Sequence, residues 1–237
     1  MTHELYSWQK IEFKGKTPGG RAKPSCVIYN NNLWVFGGFF SSAPDFWNDM
    51  WTLNLQTLEW TKRKQLGVQP NTRWGNTTVL FQGRMYIYGG LNKESGRLAD
   101  REDMYFYDLE SEEWQAVEYR KSSEDEQIKI PQPRDYHTAV VYKNAMVVFA
   151  GWKYRFFGST YFNDLWIFDF AKQTWKEITS EDSSPWPQAR TSHTAVISQD
   201  KMFIFGGQTR AKDLNDLWCF DLRTNKWLEI NTLGDIH

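Results

Sequence analysis

The chain has 237 residues, a hydrophobic content of 41% and a formal net charge of −1. A chain of this length can bury a sizeable core, and its near-neutral charge argues against a general affinity for nucleic acid or anionic membranes. The sequence contains no run of eighteen apolar residues and no signal-peptide pattern, so we expect neither a membrane span nor a leader. The two cysteines, Cys26 and Cys219, are expected to be buried free thiols in a reducing, cytoplasmic compartment.

One pattern recurs four times along the chain with constant internal spacing. Each copy contains a four-residue apolar run followed by a pair of small residues: Gly37-Gly38, Gly89-Gly90, Ala150-Gly151 and Gly206-Gly207. Sixteen residues before the first member of each pair lies an Arg: Arg21, Arg73, Arg134 and Arg190. After each pair come an Asp and, eleven residues later, a Trp: Asp49 and Trp60, Asp103 and Trp114, Asp164 and Trp175, Asp216 and Trp227. A period of roughly fifty residues indicates repeated supersecondary units.

Each repeat divides into four short segments with the composition of strands. The first segment follows the Arg, the second is the apolar run, the third follows the Asp and the fourth begins at the Trp. Aromatic and β-branched residues dominate these segments, and short polar turns such as Asn30-Asn31-Asn32 join them, which is typical of antiparallel neighbours. No segment keeps a helical period. We therefore predict an all-β fold in which four-stranded antiparallel blades are arranged around an axis as a β-propeller.

The sequence resembles the kelch family of β-propellers in three features of each repeat. These are the apolar run with its glycine pair, the aromatic residue of the third strand and the Trp of the fourth strand. The resemblance covers nearly the whole chain, so residues 1–237 are predicted to be a kelch propeller domain or a fragment of one, with blades at about 21–63, 73–118, 134–179 and 190–231. Ala150 is the one departure from the glycine pair. We expect the second member of each pair to need a positive φ or a close backbone approach, and the first only to be small.

The N-terminal residues are predicted to form an extra strand at 5–12. Trp8 precedes Arg21 by thirteen residues, which is the interval between Trp60 and Arg73, so this segment corresponds to a fourth strand without a blade of its own. Kelch-like rings usually have about six blades, and the resemblance therefore implies that the four blades belong to a larger ring. An open arc exposes two blade faces and would favour self-association. A closed four-blade ring with a spare strand is the alternative.

Variation in length is confined to two connections, from the second to the third strand and from the fourth strand to the next blade. In an up-and-down meander both emerge on the same face, and repeat proteins often bind partners on the face that carries their insertions. Aromatic residues beside Arg on such a face are typical of interface hot spots. The candidate partner-binding residues there are Trp47, Arg97, Arg101, Trp152, Tyr154, Arg155, Phe157 and Arg210. The segment 152–155 is the strongest candidate, because it lies outside the repeat framework.

Arg73, Arg134 and Arg190 are further candidates for partner binding, as an electropositive ring near the channel mouth. Their recurrence also fits a structural role, such as bonding a neighbouring backbone. His137 and His193 occupy equivalent positions in neighbouring blades, which favours framework histidines over metal ligands, since a metal site needs three or four convergent ligands. We predict no metal and no cofactor.

The function predicted from these features is a non-catalytic protein-interaction module, a scaffold or adaptor that presents its long-loop face to a protein or peptide partner with acidic character. Neither nucleic acid nor membrane is expected as a partner. The sequence contains no nucleophile in a Gly-flanked turn and no phosphate-binding glycine loop, so no enzyme is expected. Two alternatives stay open, a sugar-acting propeller enzyme with its site at the channel mouth and a purely architectural domain.

Overall fold

The computed structural model describes residues 8–40, 45–94, 97–100, 103–121, 127–155, 158–179 and 184–231. These residues form strands and turns, and they include no helix long and apolar enough to cross a lipid bilayer. In chain order, blade 1 and its loop contain β1 (Ser25–Tyr29), β2 (Asn32–Phe36), β3 (Phe39–Phe40), β4 (Asp45–Phe46), β5 (Met50–Asn54) and β6 (Trp60–Lys62). Blade 2 contains β7 (Leu66–Gly67), β8 (Thr77–Phe81), β9 (Arg84–Tyr88), β10 (Leu91–Glu94), β11 (Arg97–Asp100), β12 (Met104–Asp108) and β13 (Glu113–Ala116).

Blades 3 and 4 have longer second and third strands. Blade 3 contains β14 (Thr138–Tyr142), β15 (Ala145–Lys153), β16 (Thr160–Asp169) and β17 (Thr174–Ile178). Blade 4 contains β18 (Thr194–Ser198), β19 (Lys201–Gln208), β20 (Asp213–Asp221) and β21 (Lys226–Ile230). The four main strands of every blade pair with their neighbours in sequence order and antiparallel, as β1-β2-β5-β6 does in blade 1. The predicted all-β architecture of four meander blades is thereby confirmed.

The first strand of each blade is its innermost strand. β1 contacts β8, β8 contacts β14 and β14 contacts β18, so the blades succeed one another around an axis. Among the described strands, β18 and β1 make no comparable contact. The four blades therefore form an open arc, which corrects the alternative of a closed four-blade ring. The number of blades in the complete ring stays a prediction.

Aromatic side chains pack the seams between blades. In blades 1 to 3, the aromatic residue directly before the small pair lies against the fourth-strand Trp of the next blade, with ring centroids 4.9–5.1 Å apart: Phe36 with Trp114, Tyr88 with Trp175 and Phe149 with Trp227. All three second-strand residues are completely buried. The equivalent residue of blade 4, Phe205, is 52% exposed, because no other blade packs against that side of blade 4 in the part of the chain that the structure describes.

Both members of the small pair adopt a positive φ in every blade. For the second member, a Cβ on Gly151 would lie 2.7 Å from the Cβ of His137, and its φ is 103°. The second position therefore needs both the unusual φ and the close approach, as predicted. The first member also lies in the left-handed region, even where it is Ala150 (φ 58°), so the expectation that it need only be small is wrong. In blades 3 and 4 the pairing register between the second and third strands shifts at the small pair, as in a β-bulge, and the left-handed backbone accompanies this shift.

The described part of the predicted N-terminal strand, residues 8–12, is not in a strand, and Trp8 is fully exposed. A strand needs backbone hydrogen bonds to a neighbour, and the first of these to blade 1 comes at Lys14, whose N–H donates to Leu58 O (2.9 Å); the ring centroid of Phe13 lies 5.9 Å from that of Trp60. Lys14 lies six residues after Trp8, and in the next two blades the equivalent donor also lies six residues after the fourth-strand Trp. The same bond recurs in the next two blades, from Leu66 to Glu112 O (3.1 Å) and from Arg120 to Gln173 O (2.8 Å).

The two cysteines lie in different surroundings. Cys219 is buried, whereas Cys26 is exposed, so the prediction of two buried thiols is wrong for Cys26. Cys26 lies on β1, which contacts β2 and, in the following blade, β8, and among the described residues no preceding blade covers its other side. Partial burial raises the pKa of both thiols above the ordinary value.

Candidate functional site on the long-loop face

The two long connections of each blade lie together. In every blade the residue after the framework Arg pairs with the residue after the small pair: Ala22 with Phe39, Trp74 with Leu91, Asp135 with Trp152 and Thr191 with Gln208. The first residue of each bridge belongs to the connection that enters the blade, and the second belongs to the connection between the second and third strands. The prediction that both connections share one face is therefore confirmed, and this surface is the long-loop face.

The framework Arg residues lie beneath this face and hold each blade together. Arg134 donates from Nη1 to Asp164 Oδ1 (2.6 Å) and from Nη2 to Asp164 Oδ2 (2.7 Å), and it also donates to the carbonyl of Ala150 (2.9 Å). Trp166 Nε1 donates to the same carboxylate (2.8 Å). The Arg makes the same contacts in the other three blades. The indole bond recurs in blades 1 and 4 through Trp51 and Trp218, whereas blade 2 has Tyr105 at this position. Two-point pairing of this kind orients the guanidinium as well as neutralising it.

Complete burial corrects the prediction that three of these residues contact a partner. The side chains of Arg73, Arg134 and Arg190 are 0% exposed, so they are framework ion pairs that a partner on the surface does not reach. For one of the carboxylates, Asp216, burial would raise the pKa, but the hydrogen bonds from Arg190 and Trp218 outweigh it and hold the pKa below the ordinary value.

The two histidines tie neighbouring blades together. A hydrogen bond joins His137 Nε2 to Thr77 Oγ1 of the preceding blade (2.7 Å), and another joins His193 Nε2 to Thr138 Oγ1 (2.8 Å). Burial lowers the pKa of both rings, that of His193 to about 3, so both are neutral near pH 7. No group of three or more His, Cys, Asp or Glu side chains that could hold a metal ion occurs among the described residues. The histidines are thus part of the framework.

A cavity of about 380 Å³ opens on the long-loop face and receives residues from all four blades. Its polar wall comes from blade 4, through Thr191, Ser192 and Gln208. Its remaining wall is mainly aromatic and includes Lys23 of blade 1, Trp74 of blade 2, and Tyr136, Trp152, Tyr154 and Tyr161 of blade 3. Two other clefts lie along the outer strands of blades 3 and 4, and turn residues line part of both.

Five rings form a continuous row beside and inside this cavity. The centroids of Phe39 and Trp74 lie 4.4 Å apart, those of Trp74 and Tyr136 6.1 Å, those of Tyr136 and Trp152 6.4 Å, and those of Trp152 and Tyr154 5.9 Å. This aromatic row crosses from blade 1 to blade 3. Contacts at these separations are favourable for aromatic pairs, so the row is a pre-formed apolar surface.

The ammonium of Lys23 lies among three rings of the aromatic row. Its Nζ is 3.9 Å from the ring centroid of Tyr136, 5.0 Å from that of Trp74 and 6.0 Å from that of Phe39. These are distances at which a cation is attracted to a ring face. Burial lowers the pKa of Lys23, while the negative charge of the buried Asp135 opposes that shift.

The positions two residues after the framework Arg all have a left-handed backbone. The φ values are 53° for Lys23, 68° for Gly75, 51° for Tyr136 and 58° for Ser192. A non-glycine residue in this region costs about 1 kcal/mol, and such residues cluster at functional sites. Lys23, Trp74, Tyr136 and Tyr161 were not among the predicted site residues. The signal that could have indicated the first three is the variation of the two positions that follow each constant Arg.

The residues predicted for partner binding separate into three groups. Trp152 and Tyr154 line the cavity. Arg155 and Arg210 are exposed and lie close in sequence to the lining residues Tyr154 and Gln208. The remaining residues do not line the cavity or lie outside the described part of the chain.

Trp47 belongs to the framework and not to the cavity. The guanidinium carbon of Arg21 lies 4.5 Å from the ring centroid of Trp47, and Arg134 lies in the same way 4.4 Å from the ring of Phe162. The backbone of Arg97 lies in β11. Arg101 and Phe157 lie outside the described residues.

The fold and these contacts define a class of protein, a β-propeller whose four-stranded blades are each closed by an Arg–Asp pair and joined by aromatic seams. A solved propeller-like neighbour, "Structure of YjhT", superposes with a TM-score of 0.70 over 94% of this chain and 68% of its own, at 18% sequence identity, which supports the fold alone. The family model "KLHDC2/KLHL20/DRC7 Kelch-repeats domain" matches residues 1–127 and 101–237. The chain belongs to the Kelch-repeat family.

Several curated proteins are similar in sequence to this chain. "Tip elongation aberrant protein 1" of Schizosaccharomyces pombe is 32% identical over 90% of this chain and 18% of its own length. "Leucine-zipper-like transcriptional regulator 1 homolog" of Drosophila melanogaster is 29% identical over 84% of this chain and 20% of its own length. Human "Kelch domain-containing protein 3" is 26% identical over 85% of this chain and 51% of its own length. The chain thus spans between about a fifth and a half of these relatives.

Proposed function

We propose that this chain is a non-catalytic protein-interaction module that binds a segment of a partner protein in the cavity on the long-loop face. The observation that carries the proposal is the aromatic row, which brings residues of three blades together at one opening. Aromatic side chains bury much apolar area at little cost in conformational entropy, and they dominate protein interfaces for that reason. Membership of the Kelch-repeat family supports a protein partner in general.

An acidic partner segment is the finer part of this proposal. Arg155 and Arg210 are exposed, and neither makes an ion pair with another described residue. Both lie close in sequence to cavity-lining residues, so their charges are available to carboxylates at the rim. Charges at the rim of an interface mainly raise the association rate and select the partner, with a smaller effect on affinity.

The composition of the cavity supports binding over catalysis. Its described lining residues include neither a carboxylate nor a His nor a Cys side chain, whereas sugar hydrolysis typically needs a pair of carboxylates. The single titratable cation of the lining, Lys23, is occupied by contacts with ring faces. We therefore favour an interaction module over the sugar-acting enzyme that the sequence left open.

The experiment is a quantitative pull-down with the chain as bait, in which proteins captured by the wild type are compared with those captured by the double variant Trp152→Ala/Arg155→Ala. We expect the double variant to lose at least about tenfold of a specific partner, since removal of a central aromatic anchor costs 2 kcal/mol or more. Lys172→Ala, an exposed change in the turn between β16 and β17, is the matched control and should retain the partner. Retention of every captured protein by the double variant, with unchanged melting, would contradict the proposal.

A further inference from the structure

We propose that Phe39, Trp74 and Tyr136 form a cage for a quaternary ammonium group, that of a methylated lysine in the partner segment, and that Lys23 occupies this cage as an internal ligand until the partner binds. The inference rests on the proposed function, because it names the chemical group that the partner presents to the long-loop face. From here on, the cage means these three rings.

The geometry of the cage is that of a cation site. The ring planes of Phe39 and Trp74 are inclined by 51°, and those of Trp74 and Tyr136 by 86°, so the three rings enclose one point from different directions. The Nζ of Lys23 occupies that point, within 6.0 Å of all three centroids. An ammonium held by several ring faces is the arrangement that proteins use to bind quaternary ammonium ligands.

A negative charge completes the cage. Asp135 precedes Tyr136 in the chain, its side chain is completely buried, and it attracts the charge of Lys23. A carboxylate without solvent close to an aromatic site favours any cation that enters it. The surroundings of the cage therefore suit a positive group and disfavour an anionic one.

Lys23 is a poorly matched occupant of this cage. Its ammonium carries three N–H donors, and within the described residues none of them makes a hydrogen bond or an ion pair. Contact with the ring faces removes part of the water around this ammonium without replacing its hydrogen bonds, which costs free energy for a strongly hydrated ion. A trimethylated ammonium has no N–H to satisfy, so it gains the attraction of the rings without this loss. The cage should therefore prefer a methylated lysine to its own Lys23.

The cage is also accessible to an incoming side chain. Lys23 is exposed, so its flexible stem can leave the rings for solvent. The cavity of about 380 Å³ is lined by Lys23, Trp74 and Tyr136 and by Trp152 and Tyr154 as well, and it can receive the rest of the partner segment. Binding would thus exchange one cation for another in the cage and place the neighbouring residues of the partner against the aromatic row.

The test uses choline as the quaternary ammonium probe and 3,3-dimethylbutan-1-ol as its neutral isostere, with binding followed by isothermal titration calorimetry. Lys23→Gly removes the internal ligand and fits the left-handed backbone, as Gly75 does at the equivalent position of blade 2. Lys23→Arg is the matched control, because it keeps a cation that can lie over the rings. We expect Lys23→Gly to bind choline about tenfold more tightly than either the wild type or Lys23→Arg, in line with the strength of a desolvated cation–π contact.

A second comparison, made with the Lys23→Gly variant, tests whether binding depends on the positive charge of the ligand. Choline should bind more tightly than its isostere, and Tyr136→Leu should abolish this preference, because Leu keeps the apolar bulk but has no ring face. Equal choline affinity of Lys23→Gly and the wild type would overturn the proposal, as would equal binding of choline and the isostere. If the pull-down captures partners but choline binds no more tightly than its isostere, the cage proposal is wrong and the proposed function stands. If choline is preferred over its isostere but the pull-down captures no partner, the proposed function is contradicted.

Discussion

Arg134 and Tyr136 lie two residues apart on the connection that enters blade 3, yet the two positions differ in every respect across the four blades. The first is always Arg, is buried or nearly so, and pairs with an Asp of its own blade. The second is Lys23, Gly75, Tyr136 or Ser192, and three of these four line the cavity. One short segment thus supplies both the framework and the site, because its Arg is buried within the blade and the residues after it reach the opening, as Thr191 and Ser192 both do.

The largest expected effect is the loss of the framework position. Arg134→Met leaves the carboxylate of Asp164 and the carbonyl of Ala150 without their guanidinium, and breaking a buried pair in this way costs roughly 3–5 kcal/mol. For a domain of this size we expect the melting temperature to fall by roughly 10 °C in a calorimetric scan. Arg155→Met, which removes an exposed Arg, is the control and should stay within about 0.5 kcal/mol of the wild type. Equal melting of both variants would show that the two kinds of position do not differ in stability.

A smaller effect on stability is expected at the histidine position, which follows Tyr136 and belongs to the framework. His137 and His193 have a folded-state pKa below the ordinary 6.5, so the unfolded chain takes up their protons more readily. Their contribution to stability is full above pH 6.5 and is lost as the pH falls below that value; for His193 the loss continues until the pH approaches about 3. Between pH 7 and pH 5 we expect a loss of roughly 2 kcal/mol for each histidine, measured by urea unfolding.

The matched variant for this prediction comes from blade 2. There Asn76 takes the histidine position and donates from Nδ2 to Ser25 Oγ (2.8 Å), which preserves the tie between blades without a titrating ring. The double variant His137→Asn/His193→Asn should therefore show almost the same stability at pH 7 and pH 5. The Arg190–Asp216 ion pair does not titrate between pH 7 and pH 5, because the pKa of Asp216 is lowered from the ordinary Asp value of 3.8. A wild type that is equally stable at both pH values would contradict the prediction.

The smallest expected effect is at the variable position, and it has the opposite sign. Ser192 is exposed and has a φ of 58°, so Ser192→Gly relieves the left-handed strain without removing a buried contact. We expect a gain of about 0.5–1 kcal/mol, seen as a rise of roughly 2 °C in melting temperature. Ser192→Ala keeps the strain and should not produce this gain. A loss of stability in Ser192→Gly would mean that this position also belongs to the framework.

The fold was predictable because its determinants are local in the sequence. The apolar run, the glycine pair and the turn residues of each repeat specify strands and reversals within a few residues, and four copies in register leave little room for another architecture. The role of the framework Arg residues was harder to assign. A recurring Arg fits both a buried ion pair and an electropositive ring, and only the position of the Asp carboxylates distinguishes the two.

The candidate site was predictable only in part. Trp152 and Tyr154 were found because they fall in a loop outside the repeat framework. Lys23 and Trp74 were not, because they lie beside constant residues and their importance comes mainly from rings of other blades. The same holds for Phe205, whose exposure depends on what packs against blade 4.

Sequence alone was sufficient for the class of fold, for the number of blades in this chain and for the face that carries the long connections, since each depends on spacing along the chain. Tertiary structure was needed to show that Arg73, Arg134 and Arg190 are buried and that Lys23 lies among rings from three blades. The reason is physical. Burial and cation–π contact depend on distances between blades, and the packing of the seams sets those distances.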